Sequence, residues 1–365
     1  MKYYSIKPTL KKYNPQYLMT YGRRSRGKSW STKETVIEEF NKTGRTFVYL
    51  RRYSEDLKSG NAVRYWDKFV SHGEIERLTH GKYSGIDGRA NTYYLTREDD
   101  KGRLKKELCG YYLDLNSAER WKSQEFPNVK YIIFEEFITN QVYLDDEPNE
   151  LQNLVSTIVR DNMDVVVIML GNAISRVCPY FEEWGIEDII NQPQGTVKVY
   201  NILSGNEKTT RVVCERTEDT DPNDKGGKTL FFGNSAKSIM LGEWEVKDVP
   251  TRPRGTYETH YELRVKLMYM DFILQLQSGE DEQPFLFIYT NKHHRNTIPP
   301  RTIEDTFTTD PTITKYFRDE IPAERFMCDL WRGGRFCFSD RLTGNDFLQA
   351  MEQTKFVFDT HAYTL

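Results

Sequence analysis

An eight-residue segment near the N-terminus, GRRSRGKS at residues 22–29, limits what this chain can fold into more than any other feature. Gly22, Gly27, Lys28 and Ser29 satisfy the pattern G-x-x-x-x-G-K-[ST] in full. The glycines let backbone N–H groups wrap closely around phosphate oxygens, and a helix that follows offers its N-terminus to the anion. We therefore expect Lys28 to reach the β- and γ-phosphates of ATP, and the Ser29 hydroxyl to bind Mg²⁺.

The segments on either side of this loop are of the kinds that a phosphate-binding loop requires. Residues 16–21 are short and apolar, as in a strand, and residues 31–40 predict a helix that ends near Gly44. A basic turn that matches the pattern by chance is the alternative, and this context argues against it. Residues 1–60 also carry 14 lysines and arginines against five acidic residues, which fits a phosphate-handling module, although a solvated basic face gives the same count.

Further apolar runs predict the sheet around the loop. Residues 46–50, 130–134 and 165–170 have the length of strands, and residues 151–160 predict the helix before the last of them. Runs that are apolar on both faces and alternate with helices are typical of a parallel sheet in an α/β domain. We therefore predict an N-terminal α/β domain with a mostly parallel sheet and helices on both faces.

Two carboxylates end the strand at residues 130–134. Because successive side chains of a strand point in opposite directions, Glu135 and Glu136 can divide two roles. We assign Glu135 to Mg²⁺, through a water, and Glu136 to the deprotonation of an attacking water. A glutamate pair after a strand is also common on protein surfaces, so this assignment depends on the phosphate-binding loop upstream.

Two more polar residues end predicted elements of the same domain. Asn172 follows the apolar run at 165–170 and either hydrogen-bonds the γ-phosphate or the attacking water, or is an ordinary turn residue. Arg160 ends the helix at 151–160 and is either an arginine finger that enters a neighbouring subunit's site or a helix-terminal arginine favoured by the helix dipole.

Length and composition exclude several classes of protein. At 365 residues the chain is long enough for two domains. Its five cysteines are widely spaced without a C-x-x-C pair, which argues against a disulfide framework and a structural zinc site. No signal-peptide pattern follows Met1, and the longest apolar run, residues 165–170, is far too short to span a bilayer. We expect a cytosolic protein.

The rest of the chain contains an insertion and two polar breaks. Residues 54–126 are polar with scattered glycines, and they predict an insertion with a small hairpin around residues 85–88. Polar stretches at 215–228 and 250–255 flank a short segment, residues 229–249, that is suited to a connector.

The last third of the chain predicts strands followed by a helix. Residues 263–277 form a long β-type run that turns at 278–281 and returns as residues 284–289, and residues 345–356 predict a closing helix. The pattern becomes alternating past Gly195, at residues 196–200. We therefore divide the chain into a P-loop ATPase domain, a connector and a C-terminal domain, at residues 1–195, 196–255 and 256–365.

Several segments together resemble the small DNA-packaging ATPases of phi-29-type tailed phages. In chain order they are residues 13–16, the loop at 22–29, residues 47–53, residues 126–137, Arg160, and residues 170–175 and 179–181. They cover most of residues 13–181 in the same order, and beyond residue 181 the likeness is faint.

The resemblance implies a ring-forming ASCE P-loop ATPase, usually a homopentamer. Such a ring docks on the portal of an empty capsid in the host cytoplasm and uses ATP and Mg²⁺ to drive double-stranded DNA inward. Lys122 matches a loop lysine that faces the DNA pore, although a lysine in a polar loop is usually just solvated. Whether a scaffold RNA is also a partner stays open.

The resemblance also implies roles for residues around the loop. Gln16 would lie near the adenine, and Arg24 matches the family's basic position beside the phosphates. The catalytic glutamate, the arginine that acts in trans and the sensor would be Glu136, Arg160 and Asn172.

Two features depart from the family pattern. The usual aspartate before the catalytic glutamate is Glu135 here. The C-terminal region resembles the α+β, RNase H-like nuclease domain of large terminases, with Asp271 in the place of a first-strand carboxylate, but it has no evident partner acids. The resemblance implies a nuclease-inactive domain that binds DNA and scaffold, and we expect the same here. The alternatives are a metal-dependent nuclease centred on Asp271 and a non-motor P-loop protein, such as a small-molecule kinase or a nucleotide-gated scaffold.

Overall fold

The computed structural model describes residues 4–160, 164–203, 208–218, 246–255, 257–279, 283–291, 301–304 and 313–360. Two sheets organise them. The strands of the first sheet are β1 (Tyr17–Gly22), β2 (Thr46–Arg51), β3 (Gly85–Arg89), β4 (Thr92–Glu98), β5 (Leu104–Asp114), β6 (Val129–Glu135), β7 (Val166–Asn172), β8 (Thr196–Leu203) and β9 (Thr209–Arg216). The helices around it are α1 (Lys7–Tyr13), α2 (Lys28–Thr43), α3 (Asn61–Arg64), α4 (Asp67–Ser71), α5 (Glu74–Leu78), α6 (Ala118–Trp121), α7 (Glu147–Val159) and α8 (Pro179–Glu183).

The first sheet has a parallel centre and antiparallel edges. Its nine strands lie in the order β3-β4-β5-β2-β6-β7-β1-β9-β8. The six strands from β5 to β9 in this order are parallel, while β4, β3 and β8 are antiparallel to their neighbours. The parallel strands therefore present their carboxyl ends at one edge of the sheet, and this edge carries the candidate site.

Both faces of the first sheet are buried, which explains the continuous apolar runs. Leu18 and Met19 alternate along β1 and belong to two different core clusters, one on each face. One cluster contains α7 and α8 side chains, and the other contains side chains of α2, α4 and α5. Because α2 ends at Gly44, whose φ of +72° favours glycine, the chain turns at once into β2.

The predicted strands and helices around the loop are confirmed, with shifted ends. Strands β1, β2, β6 and β7 match the four apolar runs to within two residues. Helix α2 begins at Lys28, three residues before the predicted start, because the glycine loop leads directly into it. Helix α7 begins at Glu147 and ends at Val159.

The insertion between β2 and β6 is more ordered than the sequence indicates. It contains the short helices α3, α4 and α5 and then strands β3, β4 and β5. The predicted hairpin exists as β3 and β4, but its turn lies at Ala90 and Asn91, both with positive φ, and residues 85–88 lie in β3 itself. Strand β5 then pairs in parallel with β2 and so joins the insertion to the central sheet.

The first sheet continues past the boundary that we predicted at residue 195. Strand β9 pairs in parallel with β1 and β8 pairs antiparallel with β9, so residues 196–216 complete this sheet and are not a connector. The alternating pattern of β8 reflects its position as an edge strand with one exposed face. Of the predicted connector segment at 229–249, residues 229–245 lie outside the described residues.

The second sheet contains strands from the C-terminal part of the chain. They are β10 (Glu258–Leu267), β11 (Met270–Ser278), β12 (Phe285–Thr290), β13 (Thr302–Glu304), β14 (Ile313–Thr314) and β15 (Phe336–Phe338). Helix α9 (Pro322–Arg332) lies between β14 and β15, and helix α10 (Arg341–Thr354) follows β15. Their order is β14-β13-β10-β11-β12-β15. Strands β10, β11 and β12 form an antiparallel meander, and parallel strands pair with its two sides. This α+β arrangement agrees with the expected class of domain.

The long β-type run predicted at residues 263–277 is two strands. The chain reverses at Met268, whose φ is +53°, so the run divides into the end of β10 and the start of β11. The pairing of β11 with β12 confirms the predicted return strand. The closing helix is confirmed as α10 and begins earlier than predicted because the Asp340 carboxylate accepts a hydrogen bond from the Thr343 N–H and caps it.

The cysteines and the membrane-spanning potential of the helices were the subject of two further expectations. All five cysteines are buried thiols, with no disulfide among them. Among the described residues, no helix is long and apolar enough to cross a membrane.

A glycine in β7 brings the chain after β6 close to the sheet, and this contact predicts the effect of a small substitution. A Cβ at Gly171 would lie 2.8 Å from Phe137 Cε1, and Phe137 is fully buried. We expect Gly171→Ala to lower the free energy of unfolding by about 1–3 kcal/mol, because a tightly packed core must shift to accept the methyl group. Urea denaturation measures this change.

Gly85→Ala is the matched control. A Cβ at Gly85, on the edge strand β3, would meet only the hydroxyl oxygen of the Thr96 side chain, at 2.9 Å. That side chain can rotate away, so we expect a smaller loss of stability. Equal losses in the two variants would contradict the close approach of Phe137 to β7.

Candidate active site

The predicted phosphate-binding loop lies at the carboxyl edge of the first sheet, between β1 and α2. Gly22 and Gly27 have φ values of +145° and +96°, which side-chain-bearing residues rarely adopt. Gly27 also caps α2 without any side-chain hydrogen bond to the helix N-terminus. The first N–H groups of α2 are thus available to an anion. A cavity of about 620 Å³ lies here, lined in part by Gly27, Lys28 and Ser29.

Lys28 is turned toward this loop. Its side chain is buried, and its Nζ donates to the carbonyl oxygen of Arg23 at 2.6 Å and to that of Gly22 at 3.4 Å. These bonds hold the ammonium group at the wall of the 620 Å³ cavity. A lysine in this place supplies positive charge to a phosphate bound in the cavity.

Asn172 lies beside the loop because β7 is the neighbour of β1. The two strands pair with Gly22 opposite Asn172, and the N–H of Ala173 donates to the Gly22 carbonyl oxygen at 3.2 Å. Asn172 lines both the 620 Å³ cavity and a second cavity of about 240 Å³. The second cavity is also lined by Glu135 and Glu136. The structure therefore brings the loop, the glutamate pair and Asn172 together.

The two glutamates have different surroundings. Glu135 is the last residue of β6, and only 12% of its side chain is exposed. It accepts a hydrogen bond from the Tyr65 hydroxyl at 2.9 Å. Burial raises the pKa of Tyr65 well above its usual range, so the phenol stays protonated and donates. Glu136 has a φ of +60° and a side chain that is 58% exposed.

Arg51 binds both glutamates and was not among the predicted site residues. It ends β2, the neighbour of β6, and only 15% of its side chain is exposed. Its Nη2 donates to Glu136 at 2.8 Å and to Asp56 at 3.1 Å, and its Nη1 lies 4.0 Å from Glu135. The signal in the sequence was an arginine directly after a buried strand of a parallel sheet, at the edge where such strands end together.

The adjacent Arg52 forms a buried ion pair with Glu147, the first residue of α7. Two bonds of 2.7 and 2.9 Å join the guanidinium to the carboxylate, and the exposed fractions of the two side chains are 6% and 0%. Arg52 also donates to the carbonyl oxygens of Glu136 and Phe137 at 3.0 and 3.1 Å. The pair therefore fixes the backbone at which β6 ends.

Two arginines of the phosphate-binding loop, Arg24 and Arg26, have different surroundings. Arg24 is exposed and lines the 240 Å³ cavity together with the glutamate pair. Arg26 donates to the Glu218 carbonyl oxygen at 3.1 Å, next to the end of β9. Of these two, Arg24 is the one whose side chain lies beside the glutamates.

Arg160 and Lys122 lie together at the opposite, amino edge of the sheet. Arg160 follows α7, which runs back from the carboxyl edge toward the start of β7. Its Nη2 donates to the carbonyl oxygens of Lys122 and Gln124 at 3.1 Å each, and 45% of its side chain is exposed. Lys122 caps the short helix α6 and pairs with Glu119. Neither residue is part of the cavities around the loop of the same chain.

Gln16 also lies at the amino edge of the sheet. It precedes Gly22, the first residue of the loop, by six positions, a distance of roughly 20 Å at the usual rise of a strand. Its side-chain oxygen accepts a hydrogen bond from the Arg211 N–H at 2.8 Å. Gln16 thus joins β1 to β9 and lines neither cavity. Its place near the adenine stays a prediction of the resemblance.

Asp271 lies in a setting that does not suit a two-metal nuclease. It is in β11, the second strand of the meander rather than the first, and Arg264 donates to its two carboxylate oxygens at 2.8 Å each. Asn291 Nδ2 adds a further bond at 3.1 Å. In the part of the chain that the structure describes, no group of three or more His, Cys, Asp or Glu residues could hold a metal ion.

The loop and glutamate pair fit Mg²⁺ with a nucleotide. Glycines stand where the backbone must approach phosphate, and a hydroxyl and a carboxylate, the oxygen ligands that Mg²⁺ prefers, come from Ser29 and Glu135. Asn172 joins the two cavities that these residues line.

This chain resembles known viral DNA packaging proteins. A family model of the podovirus DNA encapsidation protein (Gp16) matches residues 2–201. The DNA packaging protein of Bacillus phage B103 is 30% identical over 330 residues, which cover 88% of this chain and 92% of that protein. This chain belongs to the podovirus DNA encapsidation protein family. The resemblance found in the sequence is thereby confirmed.

Two further comparisons of this family member concern coverage and fold. The DNA packaging proteins of Bacillus phages PZA and phi29 are each 31% identical over 195 residues, 49% of this chain, so the match spans about half (52%) of their length. A chain in the solved bacteriophage Phi-29 viral genome packaging motor assembly has a TM-score of 0.58 and 21% identity, over 96% of this chain and 99% of that one. This likeness to the chain of the Phi-29 assembly confirms the fold.

The buried ion pair below the glutamates predicts a large effect on stability in this family member. Glu147→Ala leaves the Arg52 guanidinium buried without its carboxylate, and breaking such a pair costs about 3–5 kcal/mol. We expect this loss in the free energy of unfolding measured by urea denaturation. The control is Glu55→Ala, which removes the partner of Lys58 in an exposed pair and should leave the stability unchanged. Similar changes in both variants would contradict the structural role of Arg52 and Glu147.

Proposed function

We propose that this chain is an ATPase that drives double-stranded DNA into a viral procapsid. One observation carries the enzymatic part of the proposal. The loop at residues 22–29, the glutamate pair and Asn172 surround two adjoining cavities at the carboxyl edge of one parallel sheet. Membership in the podovirus DNA encapsidation protein family supports the packaging part.

The described contacts support a division of roles in hydrolysis. The glycine backbone and Lys28 bind the phosphates, and Arg24 adds positive charge from the side of the glutamate pair. Ser29 and, through a water, Glu135 would hold Mg²⁺, which would offset the negative charge of the bound phosphates. Glu136 takes a proton from a water whose oxygen attacks the γ-phosphorus, while the bond to the ADP oxygen breaks. Asn172 hydrogen-bonds the γ-phosphate or that water.

The position of Arg160 supports a site shared between subunits. Helix α7 has 13 residues and is about 20 Å long, so it carries Arg160 to the edge opposite its own loop. A half-exposed arginine at that edge is suited to a neighbouring subunit's site, where a guanidinium stabilises charge in the transition state. Repetition of such a head-to-tail contact closes a ring. We propose a homopentameric ring, as in the family that the sequence resembles.

The proposed partners follow from the ring and the family. Duplex DNA would pass through the ring, and Lys122, which lies beside Arg160, would contact its phosphates. Contacts to phosphate carry little sequence information, which suits a motor that accepts any DNA. The ring would work in the host cytoplasm while docked on the portal of the procapsid. A scaffold RNA is a further partner to test by binding.

Two single substitutions separate nucleotide binding from hydrolysis. Lys28→Ala should abolish ATP hydrolysis, because it removes the cation beside the phosphates. Glu136→Gln should keep nucleotide binding but lower the rate by roughly 10²–10⁴, the usual contribution of a general base. Phosphate release and binding of a fluorescent ATP analogue measure the two properties. Glu320→Gln, at an exposed position in the second half of the chain, is the control, and a Glu136→Gln variant with wild-type turnover would overturn the assignment.

A mixing experiment tests the arginine in trans. Arg160→Ala alone should lower hydrolysis by roughly 10³–10⁵, as for other arginine fingers. Mixed with Lys28→Ala subunits, it should regain hydrolysis, because each Lys28→Ala subunit still offers an intact Arg160 to its neighbour's intact loop. Failure of the mixture to exceed the two separate variants would contradict a finger that acts between subunits.

A further inference from the structure

Tyr65 is a residue of the insertion that reaches the glutamate pair. It follows the short helix α3, and its hydroxyl donates to Glu135 Oε1 at 2.9 Å. The other oxygen of Glu135 lies on the side of Arg51, 4.0 Å from its Nη1. The phenol thus occupies one of the two oxygens of a carboxylate that is itself mostly buried.

The ring of Tyr65 is held by contacts with two separate elements. Tyr49 of β2 stacks on the ring with a centroid distance of 4.2 Å and an interplanar angle of 26°. Lys33 of α2 lies over the ring with its Nζ 3.6 Å from the centroid, and it also donates to the Tyr65 carbonyl oxygen. These contacts leave the hydroxyl little freedom to leave Glu135, because both the ring and the backbone are fixed.

The rest of the insertion also belongs to the wall of the site. Lys68 of α4, His72 directly after α4, and Glu74 of α5 line the 620 Å³ cavity together with residues of the loop. Trp30 of α2 packs edge-on against Phe69 of α4 at 5.0 Å. The insertion is therefore built onto the start of α2, and Tyr65 lies at the point where it meets β6.

We propose that Tyr65 is a positioning residue that orients Glu135 for Mg²⁺ binding. This inference rests on the proposed ATPase function and adds the residue that sets the direction of the metal-side carboxylate. Hydrogen bonds to a ligating carboxylate from outside the coordination shell fix its orientation and tune its affinity for the metal. With Oε1 engaged by the phenol, Oε2 is left on the side of Arg51, at the 240 Å³ cavity that Glu135 and Arg51 both line.

The same contact accounts for the glutamate at position 135. An aspartate is one methylene shorter, so its carboxylate would end short of a phenol whose ring is fixed by Tyr49 and Lys33. Glu135 and Tyr65 are thus a matched pair, in which the longer side chain reaches the hydroxyl. Position 135 then carries a glutamate instead of the family's usual aspartate because the side chain must reach Tyr65 of the insertion, and not because the metal requires it.

The first test is Tyr65→Phe, which keeps the ring and its packing and removes only the hydroxyl. We expect the affinity for Mn²⁺ in the presence of ADP, followed by electron paramagnetic resonance, to fall roughly 10-fold or more. Binding of a fluorescent ADP analogue in EDTA should be unchanged, which also shows that the variant is folded. The control is Tyr200→Phe, which loses a hydroxyl bonded to Asp188 at 2.6 Å and should leave both measurements unchanged.

A double-variant cycle tests whether Tyr65 acts through Glu135. In the Glu135→Gln background, Tyr65→Phe should weaken Mn²⁺ binding no further, since the carboxylate that it orients is gone. Glu135→Asp should resemble Tyr65→Phe, and the two changes together should not add. Wild-type Mn²⁺ affinity in Tyr65→Phe, an equal loss of ADP binding with and without metal, or fully additive effects would overturn the inference. Absence of ATP hydrolysis by the wild-type chain would instead overturn the proposed function, while the metal-binding measurements would still test Tyr65.

Discussion

The carboxyl edge of the first sheet depends on the buried ion pair between Arg52 and Glu147. The guanidinium also holds the carbonyl oxygen of Glu136, a residue whose positive φ costs an L-amino acid roughly 1–2 kcal/mol. The Leu144 N–H and the Tyr180 hydroxyl donate to the same carboxylate of Glu147, so its oxygens are satisfied although it is fully buried. The strained turn after β6 is therefore held from below, and the Glu136 side chain points out of an otherwise rigid edge. The pair therefore fixes the backbone that carries the Glu136 carboxylate.

The same edge is joined to the second half of the chain by polar contacts of α10. Gln353 accepts a hydrogen bond from the Tyr143 N–H at 3.1 Å and donates to the Gln141 carbonyl oxygen at 3.0 Å, in the segment that follows β6. Gln349 accepts a hydrogen bond from the Ser175 hydroxyl at 2.7 Å, in the segment that follows β7. Helix α10 thus contacts both the segment that follows the glutamate pair and the segment that follows β7. A rearrangement of either segment must move α10 or break these bonds, so the carboxyl edge of the first sheet is physically linked to the second sheet.

Features that a local sequence pattern determines could be predicted, and features that depend on contacts between distant parts of the chain could not. The loop, the glutamate pair and Asn172 were predicted because parallel strands place their ends at one edge, so sequence neighbours of buried runs become spatial neighbours. Tyr65 could not be predicted, since it lies in an insertion without apolar periodicity and its partner is 70 residues away. The hydrogen bond from the Arg211 N–H to Gln16 could not be predicted either, because the two residues are 195 positions apart. The predicted end of the first domain at residue 195 was too early. Strand β8 alternates between polar and apolar residues because it is an edge strand with one exposed face, and a strand in a separate connector would show the same alternation.

The central claim is that the site on each subunit is completed by its neighbour and works on DNA. The most direct measurement is the rate of ATP hydrolysis per subunit as a function of protein concentration, with and without double-stranded DNA. A site that receives Arg160 from a neighbour should show turnover per subunit that rises steeply with concentration as rings form, and DNA should increase it further. Turnover per subunit that is independent of concentration and unchanged by DNA would contradict the account.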